Sequence, residues 1–197
     1  MKTEVQPDTE LVPLPVVLVT TGEGQTANII TIAWVGIVNS TPPMISLAVR
    51  PSRHSYSLLS ATREFVVNIP RVADVDKVDI IGAASGRDVF KFAEMGFTAL
   101  AASKVGAPLI AQCPINLECQ LRHQLSLGSH DLFVGQIVAA HYDEEVLDSR
   151  GRLKPSAEVG LLLVGDEYWS LGQKVAGFGA AGKAWRAARR GAPPFEA

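Results

Sequence analysis

Residues 115–123, INLECQLRH, alternate between apolar and polar side chains along most of their length. In an extended chain, one face would carry Ile115, Leu117, Cys119, Leu121 and His123. The opposite face would carry Asn116, Glu118, Gln120 and Arg122. A period of two is typical of a strand with one buried face. The stretch therefore predicts a half-buried antiparallel strand, with Cys119 in the core.

Six further segments have the apolar, β-branched composition of strands. They are PVVLVTT (15–21), IITIAWVGIV (29–38), MISLAVR (44–50), FVVNIP (65–70), HDLFVGQIVAAHY (130–142) and EVGLLLVGDEYWSL (158–171). The prolines of NSTPP (39–43) separate the second segment from the third, since proline cannot continue a ladder. Many short strands with few helices predict a mainly β fold, either a β-barrel or a sandwich with helical decorations.

Two segments are predicted to be helices whose first turns attract anions. SRHSYSLLSATRE (52–64) has Ser52 as its candidate N-cap, and SGRDVFKFAEMG (85–96) begins with Ser85 and ends at Gly96. Unpaired N–H groups and the helix dipole favour an anion at such ends. Basic and polar side chains accompany them: Arg50, Ser52, Arg53, His54, Ser55, Ser85 and Lys91. Together they indicate a phosphorylated ligand. For the first of the two helix starts, a plain helix cap with solvated arginines is an alternative explanation.

The segment NIITIAW (28–34) offers polar side chains along a strand. Asn28 and Thr31 are placed to present polar atoms to a heteroaromatic ligand. Trp34 is either part of the same contact or an aromatic residue of the core. Residue types alone leave both interpretations open.

Composition narrows the class of protein. The chain has 197 residues, 47% of them hydrophobic and 19% charged, with a formal net charge of −2, which suits one globular domain. We expect neither a nucleic-acid nor a membrane partner, and we interpret the basic cluster as a solvated helix face or tail. That cluster consists of Lys183, Arg186, Arg189 and Arg190.

The cysteines and histidines predict neither a disulfide framework nor a metal site. Cys113 and Cys119 do not form a disulfide framework. The first residues lack the apolar run of a signal peptide, so we expect a cytoplasmic protein. The histidines are too widely spaced to predict a metal site; they are His54, His123, His130 and His141.

The segment GFGAAG (177–182) has the G-x-G-x-x-G spacing of a dinucleotide-binding turn. Such a turn needs a strand before it, a helix after it and a second strand beyond. Too little of the given sequence follows Gly182 to complete that unit. We therefore interpret the segment as a flexible glycine-rich loop.

Five stretches resemble, in order, the flavoredoxins and related flavin reductase-like proteins. They are NIITIAWVGIVNSTPPMISLAVRPSRHSY (28–56), EFVVNIP (64–70), SGRDVFKF (85–92), GAPLIAQCPINLECQL (106–121) and GSHDLFVGQIV (128–138). The resemblance covers roughly residues 12–182. It implies a split β-barrel with Greek-key antiparallel topology, noncovalent FMN, NAD(P)H as a transient co-substrate, and a homodimer with the flavin near its interface. It also suggests a tail at 1–11, a flavin reductase-like FMN-binding domain at 12–182 and a basic C-terminal tail at 183–197.

The resemblance also implies roles for individual residues. The isoalloxazine and ribityl region would be lined by Asn28, Thr31, Ala33 and Trp34. The ribityl chain and phosphate would be surrounded by Arg50, Ser52, His54, Ser55, Ser85 and Lys91. His130 is a candidate nicotinamide contact, although Ser129 stands where many flavin reductases have an aspartate. Phe178 would pack near the flavin or across the dimer, unless its segment is an idle tail.

The implied activity is electron transfer from NAD(P)H to flavin or a downstream acceptor. The flavin performs the hydride chemistry, so no catalytic side chain is obligatory. One alternative is an FMN-binding electron carrier that a partner protein reduces. The other is a ligand-binding barrel without redox activity. An electron-transfer protein or a monooxygenase is a candidate partner.

Overall fold

The computed structural model describes residues 1–189 of the chain. Its strands are β1 (Leu14–Thr21), β2 (Asn28–Ile32), β3 (Val35–Ser40), β4 (Pro43–Val49), β5 (Glu64–Ile69), β6 (Ala99–Leu100), β7 (Leu109–Ile110), β8 (Ile115–Ser126), β9 (Asp131–Tyr142), β10 (Leu161–Val164) and β11 (Glu167–Trp169). Its α-helices are α1 (His54–Thr62), α2 (Val75–Ala83), α3 (Lys91–Glu94) and α4 (Ala180–Ala188).

The main sheet runs in the order β11-β10-β1-β5-β8-β9-β4-β3, with β2 also paired to β1. All of these pairings are antiparallel, and the order crosses over in Greek-key fashion. The mainly β prediction is confirmed, and the sheet is a split barrel rather than a sandwich. Phe65 and Phe133 are both 0% exposed in the main core. A Cβ at Gly135 would lie 2.5 Å from Cζ of Phe65, so that ring packs against a residue without a side chain.

Two predicted strands are each divided in the structure. Residues 29–38 separate into β2 and β3, because the chain bends at Ala33 and Trp34, where Val35 N–H donates to the Ala33 carbonyl at 3.1 Å. Residues 158–171 contain the β10–β11 hairpin, which turns at Gly165 with φ +59°. Glycine adopts this left-handed conformation without a Cβ clash.

The prediction that β8 has only one buried face is wrong. Cys119 is in the core as predicted, but Asn116 and Glu118 on the opposite face are buried as well. The loop through Ser103 covers that face and hydrogen-bonds directly to Glu118. A buried carboxylate is tolerated when such donors surround it, so the period of two did not reveal the second covered face.

The two predicted helix starts are also corrected. The N-cap of α1 is Arg53 rather than Ser52, and no side chain caps it, although α1 itself is present. Ser85 lies just after the C-terminus of α2, and the chain from Gly86 to Asp88 forms a turn before the single turn of α3. The region around Ser85 is therefore a connection between helices rather than a helix N-terminus.

Helix α2 was missing from the sequence-based prediction. It packs Val78 and Ile81 into a second core cluster together with Leu18 and Ile29 of β1 and β2. Valine and isoleucine recur every three residues from Val72 to Ile81, a spacing that indicates an apolar helix face. This signal was present in the sequence.

The C-terminal segment lies on the outside of the barrel. Gly179 is the N-cap of α4, so the second half of GFGAAG is the start of a helix rather than a flexible loop. Every residue from Trp169 to Arg189 is exposed. The predicted boundary at 182/183 falls inside α4, and Arg190 and the rest of the predicted basic tail lie outside the described residues. Within residues 1–189, every helix is too short or too polar to cross a bilayer.

Candidate functional site

Two adjoining cavities lie along β2 and share Ile30, Arg50 and Arg53 as lining residues; together they are here called the groove. The first, here called the cationic pocket, has a volume of about 230 Å³. Four basic side chains line it: Arg50, Arg53, Arg87 and Lys91. The second, here called the wide cleft, has a volume of about 650 Å³ and is lined by apolar residues of β2, β4 and β10 together with charged and polar side chains.

The cationic pocket is built where the loop before α1 meets the loop after α2. Asn28 Nδ2 donates to Ser55 Oγ at 2.8 Å, which ties β2 to the first turn of α1. Arg87 Nη1 donates to the Ser52 carbonyl at 3.2 Å and so links the two loops. A Cβ at Gly86 would lie 2.6 Å from Cγ of Asn28, so the backbone approaches this closely only because the residue is glycine.

Lys91 lines the cationic pocket but is only 4% exposed. Its ammonium donates to the carbonyls of Ile29 at 2.9 Å and Ile81 at 2.8 Å. Burial, with a smaller contribution from the charge of Arg53, lowers the pKa of Lys91 to about 8. An ammonium has three donors, so one N–H remains for a ligand beyond the two carbonyls.

His54 also lines the cationic pocket. Burial, followed by the charges of Arg87 and Lys91, lowers the pKa of His54 below its ordinary value. The imidazole is therefore neutral at pH 7, and the positive charge of the pocket comes from its arginines and its lysine.

Trp34 and His130 form an aromatic wall of the wide cleft, with ring centroids 4.6 Å apart. Arg50 Nε donates to His130 Nε2 at 3.3 Å. Because Nε2 accepts this bond, the neutral ring carries its proton on Nδ1 and donates it to Ser129 Oγ at 3.0 Å. Burial and the charge of Arg50 lower the pKa of His130, which favours this neutral form.

Asp131 anchors the backbone beside His130. Tyr56 donates its hydroxyl proton to Asp131 Oδ2 at 2.7 Å, and Gln124 Nε2 donates to the same oxygen at 3.1 Å. These bonds lower the pKa of Asp131, with the Tyr56 bond contributing most. The carboxylate thus holds α1, β8 and β9 together at the edge of the cleft.

The arrangement suits a flat heteroaromatic ring system that carries an anionic tail. Aromatic and aliphatic side chains line the wide cleft, and guanidinium groups at the narrow end suit a phosphate. No group of histidine, cysteine, aspartate and glutamate side chains in residues 1–189 has the geometry of a metal site.

Comparison with known proteins identifies the family. A family model described as "Flavin reductase like domain" matches residues 9–171. The chain belongs to the flavin reductase-like family. An uncharacterized protein of Pyrococcus abyssi is 33% identical over 138 residues, which cover 70% of this chain and 79% of that protein.

Two solved structures extend this likeness to the whole fold. Flavoredoxin of Desulfovibrio vulgaris (Miyazaki F) is 30% identical with a TM-score of 0.84, covering 92% of this chain and 100% of that one. Flavoredoxin from Methanosarcina acetivorans is 29% identical with a TM-score of 0.87, covering 94% and 99%. The family resemblance inferred from the sequence is confirmed.

Most of the predicted site residues of this flavin reductase-like chain meet in the groove. The cationic pocket contains Asn28, Arg50, Ser52, His54, Ser55, Ser85 and Lys91. The wide cleft contains Thr31, Ala33, Trp34, Arg50 and His130. Thr31 Oγ1 also donates to the Val78 carbonyl of α2 at 2.6 Å, which leaves its lone pairs as acceptors. Phe178 lies outside both linings and is fully exposed.

Two charged residues of the groove, Arg87 and Asp166, were not predicted as site residues. Arg87 lies inside the quoted stretch SGRDVFKF, so its basic side chain was a usable signal. Arg53, which the sequence already associated with a phosphorylated ligand, also lines the cationic pocket. Asp166 had no such signal, because only the β10–β11 hairpin brings it to the wide cleft.

Proposed function

We propose that this chain binds FMN noncovalently in the groove and transfers electrons from NAD(P)H to flavin or to a downstream acceptor. The observation that carries the proposal is that the two parts of the groove adjoin and share Ile30, Arg50 and Arg53 as lining residues. A wide cleft with aliphatic and aromatic side chains, next to a smaller pocket with four basic side chains, matches a ring system with a phosphorylated tail.

The phosphate end of the ligand belongs in the cationic pocket. Arg53, Arg87 and Lys91 supply charge, while the first turn of α1, with Ser55, supplies hydrogen-bond donors. Ser52 and Ser85 add hydroxyl groups at the rim. This chemistry favours FMN over riboflavin, because charge-assisted hydrogen bonds contribute only when the phosphate is present.

The ring end of the ligand belongs in the wide cleft, against Ala33 and Trp34, with Asn28 and Thr31 along the ribityl chain. The bound flavin supplies the hydride-accepting chemistry. The side chains of this chain orient it and shape the space for a second ring. His130 stays neutral and borders that space, so we propose it as a nicotinamide contact.

The proposed assembly is a homodimer with the flavin near its interface. A long exposed C-terminal segment supports this, since Val175, Phe178 and Trp185 have no apolar cover within the described chain. Burying such residues against a second copy would remove a large apolar surface from water. Phe178 is proposed to pack near the flavin or across this interface.

A second candidate is an FMN-binding electron carrier that receives electrons from a partner protein. The similarity of nearly the whole chain to two flavoredoxins keeps this candidate in view. A cytoplasmic location and an electron-transfer protein or monooxygenase as partner remain predictions. Both thiols, Cys113 and Cys119, are buried, and burial raises their pKa values, so neither is expected to act in redox chemistry.

The deciding experiment is anaerobic stopped-flow mixing of the yellow holoprotein with NADH and with NADPH. Rapid bleaching of the flavin by either nucleotide supports the enzyme. Slow bleaching by both, with full reduction by dithionite, supports the carrier. Flavin in the filtrate after ultrafiltration separates an exchangeable flavin from a prosthetic group. A colourless protein that does not bind added FMN contradicts both.

A further inference from the structure

Asp166 lies in the turn of the β10–β11 hairpin, and its side chain lines the wide cleft. It is exposed, and its carboxylate makes no hydrogen bond or ion pair within residues 1–189. Because the Asp166 carboxylate makes no such contact, it does not stabilise the hairpin. It is an acidic group in a groove whose other charged side chains are basic. It is available to act on a ligand.

The strand pairing places Asp166 at the end of the groove away from the cationic pocket. Asn28 pairs with Thr21 at one end of β1, and Leu163 pairs with Leu14 at the other end. At 3.3 Å per residue, these two ends of β1 are about 23 Å apart. Because Asp166 follows Leu163 in the hairpin, it lies at the end of the wide cleft that is away from the cationic pocket.

The charges of the groove are therefore separated along its length. Arg87 and Lys91 line the cationic pocket and not the wide cleft. Arg50 and Arg53 line both parts, and Arg50 also donates to His130. A flavin phosphate would neutralise this end. Around Asp166 the remaining charge is negative, since Glu167 follows it and Asp79 accepts a hydrogen bond from Tyr168 of the same hairpin at 3.1 Å.

We propose that Asp166 is a specificity-determining residue that makes the site prefer NADH to NADPH. This rests on the proposed function, because it requires a nicotinamide nucleotide to lie over the flavin and extend past the open end of the cleft. A carboxylate accepts hydrogen bonds from a ribose 2′-hydroxyl and repels a 2′-phosphate. For a doubly charged phosphate about 6 Å from the carboxylate in water, this repulsion corresponds to roughly a tenfold difference in affinity, and salt reduces it.

The test compares the unchanged holoprotein with Asp166→Asn and Asp166→Lys, and uses Glu167→Gln as the matched control. Glu167→Gln removes the same charge from the next residue, which does not line the cleft. The dissociation constants of NAD⁺ and NADP⁺ are measured from the change in the flavin spectrum, at low and at high salt. Reduction by NADH and NADPH is followed separately.

We expect the unchanged protein to favour the NAD nucleotides about tenfold at low salt. Glu167→Gln should keep most of that preference, because Glu167 does not line the cleft. Asp166→Asn should reduce that ratio to near one, and Asp166→Lys should reverse it. Equal affinity in the unchanged protein, an unaltered ratio in Asp166→Asn, or no binding of either nucleotide overturns the inference. Failure of the proposed enzyme is recognised differently: neither NADH nor NADPH would bleach the flavin, whatever the ratio of the two dissociation constants.

Discussion

The rings of Trp34 and His130 pack against each other in one wall of the wide cleft, with 4.6 Å between their centroids and a tilt of 37°. Trp34 lies in the bend between β2 and β3, and His130 directly precedes β9. Strand β4 pairs with both β3 and β9, so the sheet itself brings the two aromatic residues together. Arg50, immediately after β4, donates to the same imidazole and joins this wall to the cationic pocket.

Replacing Trp34 by Ala is expected to weaken flavin binding by about 1–2 kcal/mol, because an aromatic contact and its buried area are lost. FMN and riboflavin should lose similar amounts, since the indole faces the ring end of the groove. Titration of the apoprotein by flavin fluorescence measures both. Trp169→Ala serves as the control, because Trp169 is also exposed but does not line the groove. If Trp34→Ala binds both flavins with unchanged affinity, the Trp34 indole does not contact the flavin.

Lys91 is expected to make FMN binding dependent on pH. Burial lowers its pKa to about 8 in the free protein, and a bound phosphate would raise that value again. The protonated form therefore binds FMN more tightly, and affinity should begin to fall as the pH rises through about 8. Riboflavin, which lacks the phosphate, should show no such fall.

The variant Lys91→Met tests this pH dependence, because it removes the titrating ammonium group. FMN affinity should drop on the order of 1–3 kcal/mol at neutral pH, and the dependence above pH 8 should disappear. Riboflavin affinity is the internal control for damage to the groove, since Lys91 also holds the carbonyls of Ile29 and Ile81. An equal loss for both flavins would assign Lys91 a purely structural role.

Glu118 is expected to make the fold sensitive to acid. Burial opposes its ionisation, but hydrogen bonds from Ser103, His141 and Lys104 outweigh that and hold the pKa of Glu118 at about 2. The folded-state pKa is below the unfolded value of 4.5. The stabilisation is therefore present above pH 4.5 and is lost as the pH falls from there through 2.

Glu118→Gln should lower the free energy of unfolding at neutral pH by about 3 kcal/mol, because an amide cannot accept all of these bonds. Urea denaturation at several pH values measures the change, and the variant should lose less stability below pH 4.5 than the unchanged protein. Glu167→Gln, on the exposed hairpin, is the control and should behave like the unchanged protein. A variant with the same acid dependence as the unchanged protein would show that another group is responsible.

Truncation after Leu171 is expected to weaken the dimer or the retention of FMN. It removes Val175 and Phe178, both fully exposed in the single chain, together with the amphipathic α4. Light scattering reports the mass of the assembly, and ultrafiltration reports the flavin retained. Unchanged behaviour would mean an idle tail, and loss of nicotinamide binding alone would restore the dinucleotide interpretation of GFGAAG.

The strands and the family could be predicted from the sequence, because both depend on local patterns. Alternating side chains from Ile115 onward, and β-branched runs such as FVVNIP, constrain the backbone wherever they occur in a chain. The motifs of the groove were recognisable for the same reason, since Asn28, Arg50 and Ser55 lie in short continuous stretches. Helix α2 could also have been predicted from the sequence, because Val75, Val78 and Ile81 are spaced as on one face of a helix.

Tertiary structure decided what those patterns could not. Glu118 is buried because a loop from another part of the chain covers its face and supplies donors, which no alternation can reveal. Ser85 follows a helix instead of starting one, and it reaches the pocket because α2 packs on β2. Asp166 enters the cleft only through the pairing of β10 with β1. Local sequence sets backbone preference, whereas contacts between distant segments depend on how the whole chain buries its apolar surface.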